Sequence, residues 1–254
     1  MFAVGGMARI INPLFDASGA RIAAEMARMR RAPVPLQRPL VILGGWRAVH
    51  ATAHRLTERL ALLTQGDAAP RLAVSFLRTG CVVEAARVAV EAVRRRWPSD
   101  DPASTIEVDV VGVSMGGIVA RVAAAGLHDP GRGKRLRIAR LWTLATPHRG
   151  ARMARVAALD RVGGQLRARS SLLRAVDDAL PAARYDICAY ARLRDGMVGA
   201  RNAALPGRGC RWIDGPPLLS HLTITREDAF AADIALALRG EPPLSTGESE
   251  PPRD

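Results

Sequence analysis

The sequence predicts an α/β protein: a mostly parallel central sheet of about six strands, flanked by helices. Three observations carry this. Short, largely apolar runs without strict alternation, such as 40–43 and 106–113, imply strands buried on both faces, as parallel sheets require. Segments such as 82–96 space their apolar residues as a one-sided helix does. The two kinds of segment alternate along most of the 254 residues, the pattern of a sheet covered on both faces by helices.

Residues 1–38 read as an N-terminal helical arm and linker. Over 17–31, Ile22, Met26 and Met29 fall on one helical side and most arginines elsewhere. Pro33, Pro35 and Pro39 end that helix in an extended linker. The arm is expected to lie on the main domain with a solvated basic face; transient contact with a lipid surface is the second reading. The main domain is expected over 39–240, with strands at 40–43, 72–77, 106–113, 137–145, 187–191 and 210–213. Helices are expected at 51–63, 82–96, 116–126 and 226–238. Residues 149–181 read as mostly helical, broken at Gly163-Gly164. The Pro-rich stretch 241–254 has little apolar surface and is expected to be a disordered tail.

Composition excludes several classes. The charge is +13, with 37 Lys+Arg against 24 Asp+Glu, and Lys134 is the only lysine. The arginines are spread through the chain and aromatics are only 4%, so stacking platforms are few and no nucleic-acid partner is expected. Three cysteines are too few for a disulfide framework. No signal peptide or membrane-spanning run stands out, which points to a cytoplasmic location with export left open. The sequence carries no signal of oligomeric state.

The chemistry lies in IEVDVVGVSMGGIVARVAAAG, residues 106–126. A buried strand feeds a helix through Gly112-Val113-Ser114-Met115-Gly116, a G-x-S-x-G turn. Ser114 is presented on a sharp turn above a helix N-terminus, which favours developing negative charge. Gly112 and Gly116 lie where a Cβ would strike a neighbouring strand or helix. A serine nucleophile needs a base. His128 follows the helix too closely to swing back. Of the two histidines further on, His148 and His221, the latter lies in a Pro-rich loop after the last strand and is the preferred base. The acid should end a strand between serine and base. Asp195 does; Asp186 precedes its strand, Asp177 and Asp178 fall on a helix, and Asp214 is the main rival. The transition state needs two backbone donors. The amides of Met115 and Trp46 are the candidates, with Gly45 allowing close approach; the Trp46 ring either lines an acyl pocket or simply packs. His50 and His54 stand one helical turn apart without a convergent acid, so no metal is expected. No phosphate loop or dinucleotide fingerprint exists, so no cofactor is expected.

Five pieces together resemble a known family. VILGGWR is similar to the oxyanion strand-loop of lipases, VVGVSMGG to their nucleophile turn, and RDGMV to their acid loop. LWTLATPHRG resembles a segment of the bacterial triacylglycerol lipase and glycosylphosphatidylinositol-inositol-deacylase-like branch. With His221, the likeness to α/β-hydrolases of the lipase and esterase type covers about 39–240. It implies hydrolysis of a small-molecule or lipid carboxylic ester through an acyl-enzyme, with Ser114, Asp195 and His221 as the triad and no cofactor. It also implies that His148 stands near the site mouth, or else holds the loop after its strand. It makes 151–180 a helical lid or cap, where Met153, Val156, Leu159, Val162, Leu166, Leu172 and Leu173 would shape an acyl site. Two positions depart from the pattern: Gly44 stands where members usually carry a histidine, and Val113 where an aromatic or histidine is common. The rivals are a non-catalytic scaffold of the same fold and an acyltransferase; thioester, amide and lactone substrates stay open.

Overall fold

The structure is a computed structural model and describes residues 10–47, 50–131, 133–155, 160–217 and 219–253. Six strands form one sheet: β1 (Leu40–Trp46), β2 (Arg71–Phe76), β3 (Val108–Val113), β4 (Ile138–Leu144), β5 (Asp186–Arg192) and β6 (Arg211–Ile213). Their order is β2-β1-β3-β4-β5-β6, and every neighbouring pair is parallel. Side chains alternate across a strand, so each strand serves two cores. Leu40, Ile42, Val111 and Val113 face one, beneath α1 (Gly19–Arg31), α2 (His50–Leu63) and α8 (Asp228–Leu238). Val41, Leu43, Val108 and Val110 face the other, beneath α3 (Val82–Arg96), α4 (Met115–Ala125) and α6 (Ser171–Asp178). The apolar runs are continuous because both faces are buried.

Local sequence explains the helix ends. Ser18 Oγ accepts the Arg21 amide at 3.2 Å and starts α1, which buries Ile22, Met26 and Met29 as expected. Helix α3 spans the predicted residues. Strand β1 continues three residues past its apolar run; its register with β2 shifts between Leu43 and Trp46, across Gly44 and Gly45, and pairing resumes at Trp46 opposite Phe76.

Two expectations are corrected. The break in 149–181 is not at Gly163-Gly164. Asp160 accepts the Gly163 amide and starts α5 (Arg161–Gln165), which runs through both glycines; the chain turns at 166–170, where Ser170 caps α6. Nor is the tail loose over 241–253. Asp233, fully buried on α8, needs partners for its carboxylate. It accepts from Tyr190 Oη and Arg211 Nη1 at 2.7 Å each, and from the amide and hydroxyl of Ser245 at 2.7 and 3.0 Å. Cys210 and Ser249 then exchange backbone hydrogen bonds at 3.0 and 3.1 Å. A buried polar demand orders the tail, which counting apolar residues overlooks.

Strands β1 and β3 are adjacent, with β2 on one side and β4 on the other. The winding reverses between them, and a crevice forms outside their carboxyl ends. Trp46 ends β1 and Ser114 follows β3, so both lie at that crevice.

Candidate active site

Ser114 joins β3 to α4 with φ 52° and ψ −121°, a left-handed backbone that side-chain-bearing residues rarely adopt. Its amide donates to Leu144 O at 2.8 Å, which fixes the turn against β4. The glycines are required sterically. A Cβ on Gly116 would overlap the Leu43 carbonyl oxygen, and one on Gly112 the backbone of Gly117. Gly117, absent from the sequence reasoning, is also crowded: a Cβ there would overlap the Thr146 hydroxyl, a side-chain and not a backbone neighbour.

The loops after β5 and β6 bring Asp195 and His221 to this serine. His221 Nε2 lies 3.1 Å from Ser114 Oγ, and its Nδ1 lies 2.9 Å from Asp195 Oδ2. A carboxylate can only accept, so Nδ1 carries the proton and Nε2 accepts from the serine hydroxyl. Asp195 is buried and also accepts the Met197 and Val198 amides on Oδ1, both at 2.9 Å. Burial alone pushes its carboxyl up. The His221 hydrogen bond and charge, with the two amides, more than offset this and hold it below the ordinary aspartate range. Asp214 does not reach His221; it pairs with Arg194 at 3.3 Å and accepts the Gly215 amide.

Above Ser114 and His221 lies a cavity of about 350 Å³. Gly45, Trp46 and Met115, the residues proposed around the oxyanion, line it. Met115 is the first residue of α4, so its amide is among those a helix leaves unpaired at its start. The Trp46 ring lies under the Arg47 guanidinium, 4.5 Å from ring centroid to carbon. An apolar wall comes from the stretch 151–166, chiefly Met153, Val162 and Leu166. Leu172 and Leu173, also expected to shape it, instead pack into the core beneath α4 and α6. Val156 and Leu159 lie outside the described residues.

His148 is not at the mouth of this cavity. It is fully buried, with Nδ1 3.2 Å from Arg121 Nη1 and Nε2 3.0 Å from Thr143 Oγ1. Arginine only donates, so Nδ1 accepts and Nε2–H points at Thr143. Burial, then the charges of Arg121 and Arg149, drives its pKa well below the usual histidine value. It therefore holds the loop after β4, the second of its two expected roles. Arg121 was missed by sequence reasoning. Buried inside α4, it also donates to Val176 O at 2.9 Å and pairs with Asp177 at 2.8 Å, tying α4 to α6. The signal was available: an arginine in the apolar run IVARVAAA must find partners or leave the core.

His54 is exposed and sits 3.8 Å from Glu58, while the side chain of His50 lies outside the described residues. Among the described residues, no group of three or more His, Cys, Asp or Glu could hold a metal ion, and no helix is long and apolar enough to cross a membrane.

No protein-family model matches the chain, and no curated protein matches it in sequence. Solved structures do match. The mature form of the Bacillus licheniformis lipase BlEst2 aligns with a TM-score of 0.56 at 15% identity, over 80% of this chain and 93% of that one. The phospholipase PlaB from Legionella pneumophila aligns at 0.57 and 13% identity, over 82% of this chain and 59% of that one. A metagenomic carboxyl esterase, MGS0156, aligns at 0.53 and 17%, over 81% and 76%. Such identities speak to fold alone. The six-stranded parallel sheet between two helical layers is the α/β-hydrolase fold, and the structural neighbours named are lipases and esterases.

Proposed function

We propose that this chain is a serine hydrolase of carboxylic esters, an esterase or lipase acting through an acyl-enzyme. The observation that carries the proposal is the hydrogen-bonded line Ser114–His221–Asp195 opening into an apolar cavity. Ser114 Oγ attacks the ester carbonyl as His221 Nε2 takes its proton. Asp195 keeps the imidazole in the required tautomer and stabilises the imidazolium. The amides of Met115 and Trp46 receive the charge on the carbonyl oxygen. His221 returns the proton to the leaving alcohol, then activates water to release the acid.

The strained serine favours this reading over a non-catalytic scaffold, which has no need of a left-handed backbone at that residue. Assignment to the deacylase-like branch rests only on the LWTLATPHRG segment. The cytoplasmic location is likewise part of the proposal.

A p-nitrophenyl ester series from acetyl to palmitoyl, run with the native protein and S114A, tests it. Turnover should vanish in S114A while the circular dichroism spectrum is retained, and the best chain length separates esterase from lipase. Added alcohols that divert the acyl group would identify a transferase. Absence of any S114A-dependent turnover would sink the proposal.

A further inference from the structure

Beside the cavity over Ser114 lies a second compartment of about 300 Å³. The two share Thr52, Leu222 and Thr225 in their walls. The second differs sharply in charge: Arg55, Arg59 and Arg226 line it, and no carboxylate is among its described lining residues. Arg59 is engaged. It pairs with Asp228 and donates to Thr225 O at 3.4 Å. Arg55 and Arg226 are exposed and have no side-chain partner among the described residues. Elsewhere in the chain many arginines are paired; Arg71 with Glu58, Arg94 with Glu91 and Arg140 with Asp109 are examples. Two unengaged guanidiniums lining one compartment, next to an apolar cavity, suit a multivalent oxyanion.

The position of the compartment gives its role. Leu222 follows His221 directly in the chain, and Thr225 lies one short turn further on. His221 hands its proton to the departing alkoxide, so the arginine compartment adjoins the leaving-group side. The Val162 and Leu166 wall is left for the acyl chain. Resting on the hydrolase reading above, we propose that the preferred substrate is a carboxylic ester whose alcohol part bears a phosphate-type anion, bound by Arg55 and Arg226. The phosphate bond is untouched. The Ser114 Oγ–acyl bond forms as the ester C–O bond breaks, and the phosphorylated alcohol leaves with the proton from His221. Water then releases the carboxylic acid. The same chemistry is offered by a soluble phosphorylated alcohol ester and by an anionic lipid headgroup.

The test compares dibutyrylglycerol phosphate with dibutyrylglycerol, which differ only in the phosphate, as soluble substrates of the native protein. One charge-assisted contact is worth enough to shift kcat/KM by about tenfold, and a preference of that size or more is expected for the phosphate ester. The R55A/R226A variant should lose most of that preference. R94A/R95A on α3, against the opposite face of the sheet, removes the same net charge and should keep it. Equal rates on the native pair, or a preference that survives R55A/R226A, would overturn the proposal while leaving ester hydrolysis standing. Failure to cleave either ester or any p-nitrophenyl ester would instead count against hydrolysis itself. A second arm presents dioleoylglycerol phosphate in phosphatidylcholine vesicles. Arginine-dependent cleavage there assigns the headgroup source, and such cleavage only of the soluble ester assigns the free one.

Discussion

His221 and His148 are both held at each ring nitrogen, yet their surroundings have opposite character. His221 faces a carboxylate on one side and a hydroxyl on the other, in a partly open site. His148 faces a guanidinium and a threonine and is fully buried. A proton arriving on His221 meets the Asp195 charge; one arriving on His148 meets Arg121. In the proposed mechanism Asp195 stabilises the imidazolium formed during turnover, whereas burial and the Arg121 charge keep His148 neutral. Position after the nucleophile in the chain does not separate these histidines. The sign of the charge at the partner nitrogen does.

The comparison breaks first, and by most, at activity. H221A should lower kcat by about 10⁴-fold or more, the scale found when a triad member is removed, with little change in melting temperature. H148A should do the reverse. It leaves buried polar groups on Arg121 and Thr143 short of a partner, costing about 2 kcal/mol of stability, while stopped-flow turnover of the folded fraction stays within tenfold of native. An H148A protein as inactive as H221A at full stability would erase the distinction. D195N, which keeps the shape of the side chain but donates where it must accept, should cost about 10⁴-fold in kcat, read on the same ester.

Smaller effects sharpen the contrast. G116A forces a Cβ onto the Leu43 carbonyl oxygen beneath the serine turn, and backbone cannot yield as a side chain can. We expect a loss of about 3 kcal/mol or more by urea denaturation. The pH dependence of stability should carry the mark of His148. Its folded pKa is depressed, so the unfolded chain binds the extra proton. Its contribution is complete above about pH 6.5 and fades as pH falls below that, with a slope of up to about 1.4 kcal/mol per pH unit. Asp195 is also depressed, so its contribution fades only as pH falls below the usual aspartate range. Chemical denaturation of the native protein and H148Q between pH 7.5 and 5 should show a flatter profile for H148Q. Parallel profiles would mean that the ring is not held neutral.

Much of this architecture was legible in the sequence because burial on both faces leaves continuous apolar strands. Strand β3 and helix α4 were the clearest, since Gly112 and Gly116 mark a turn that only small residues permit. Position after a strand set Asp195 and Asp214 apart from Asp186 but not from each other; in the fold Asp195 bonds His221, while Asp214 pairs with Arg194. What escaped was polar and long-range. The Arg121–His148–Asp177 network spans residues 121 to 177, and no periodicity encodes it. The ordered tail depends on Asp233, an acid inside an apolar helix whose partners come from β5, β6 and residue 245. In both cases a lone charge in an apolar helix was the visible clue, and its partner could be found only in the fold. Gly163-Gly164 misled in the other direction, because the Asp160 cap outweighs the low helix propensity of two glycines.

The most direct test of the central claim is to locate a covalent label. The native protein and H221A would each be treated with a fluorophosphonate and analysed by intact mass and peptide mapping. The account predicts one adduct per native chain, on Ser114 alone, with labelling slowed by orders of magnitude in H221A. An adduct on another residue, or labelling of Ser114 at the same rate without His221, would contradict it.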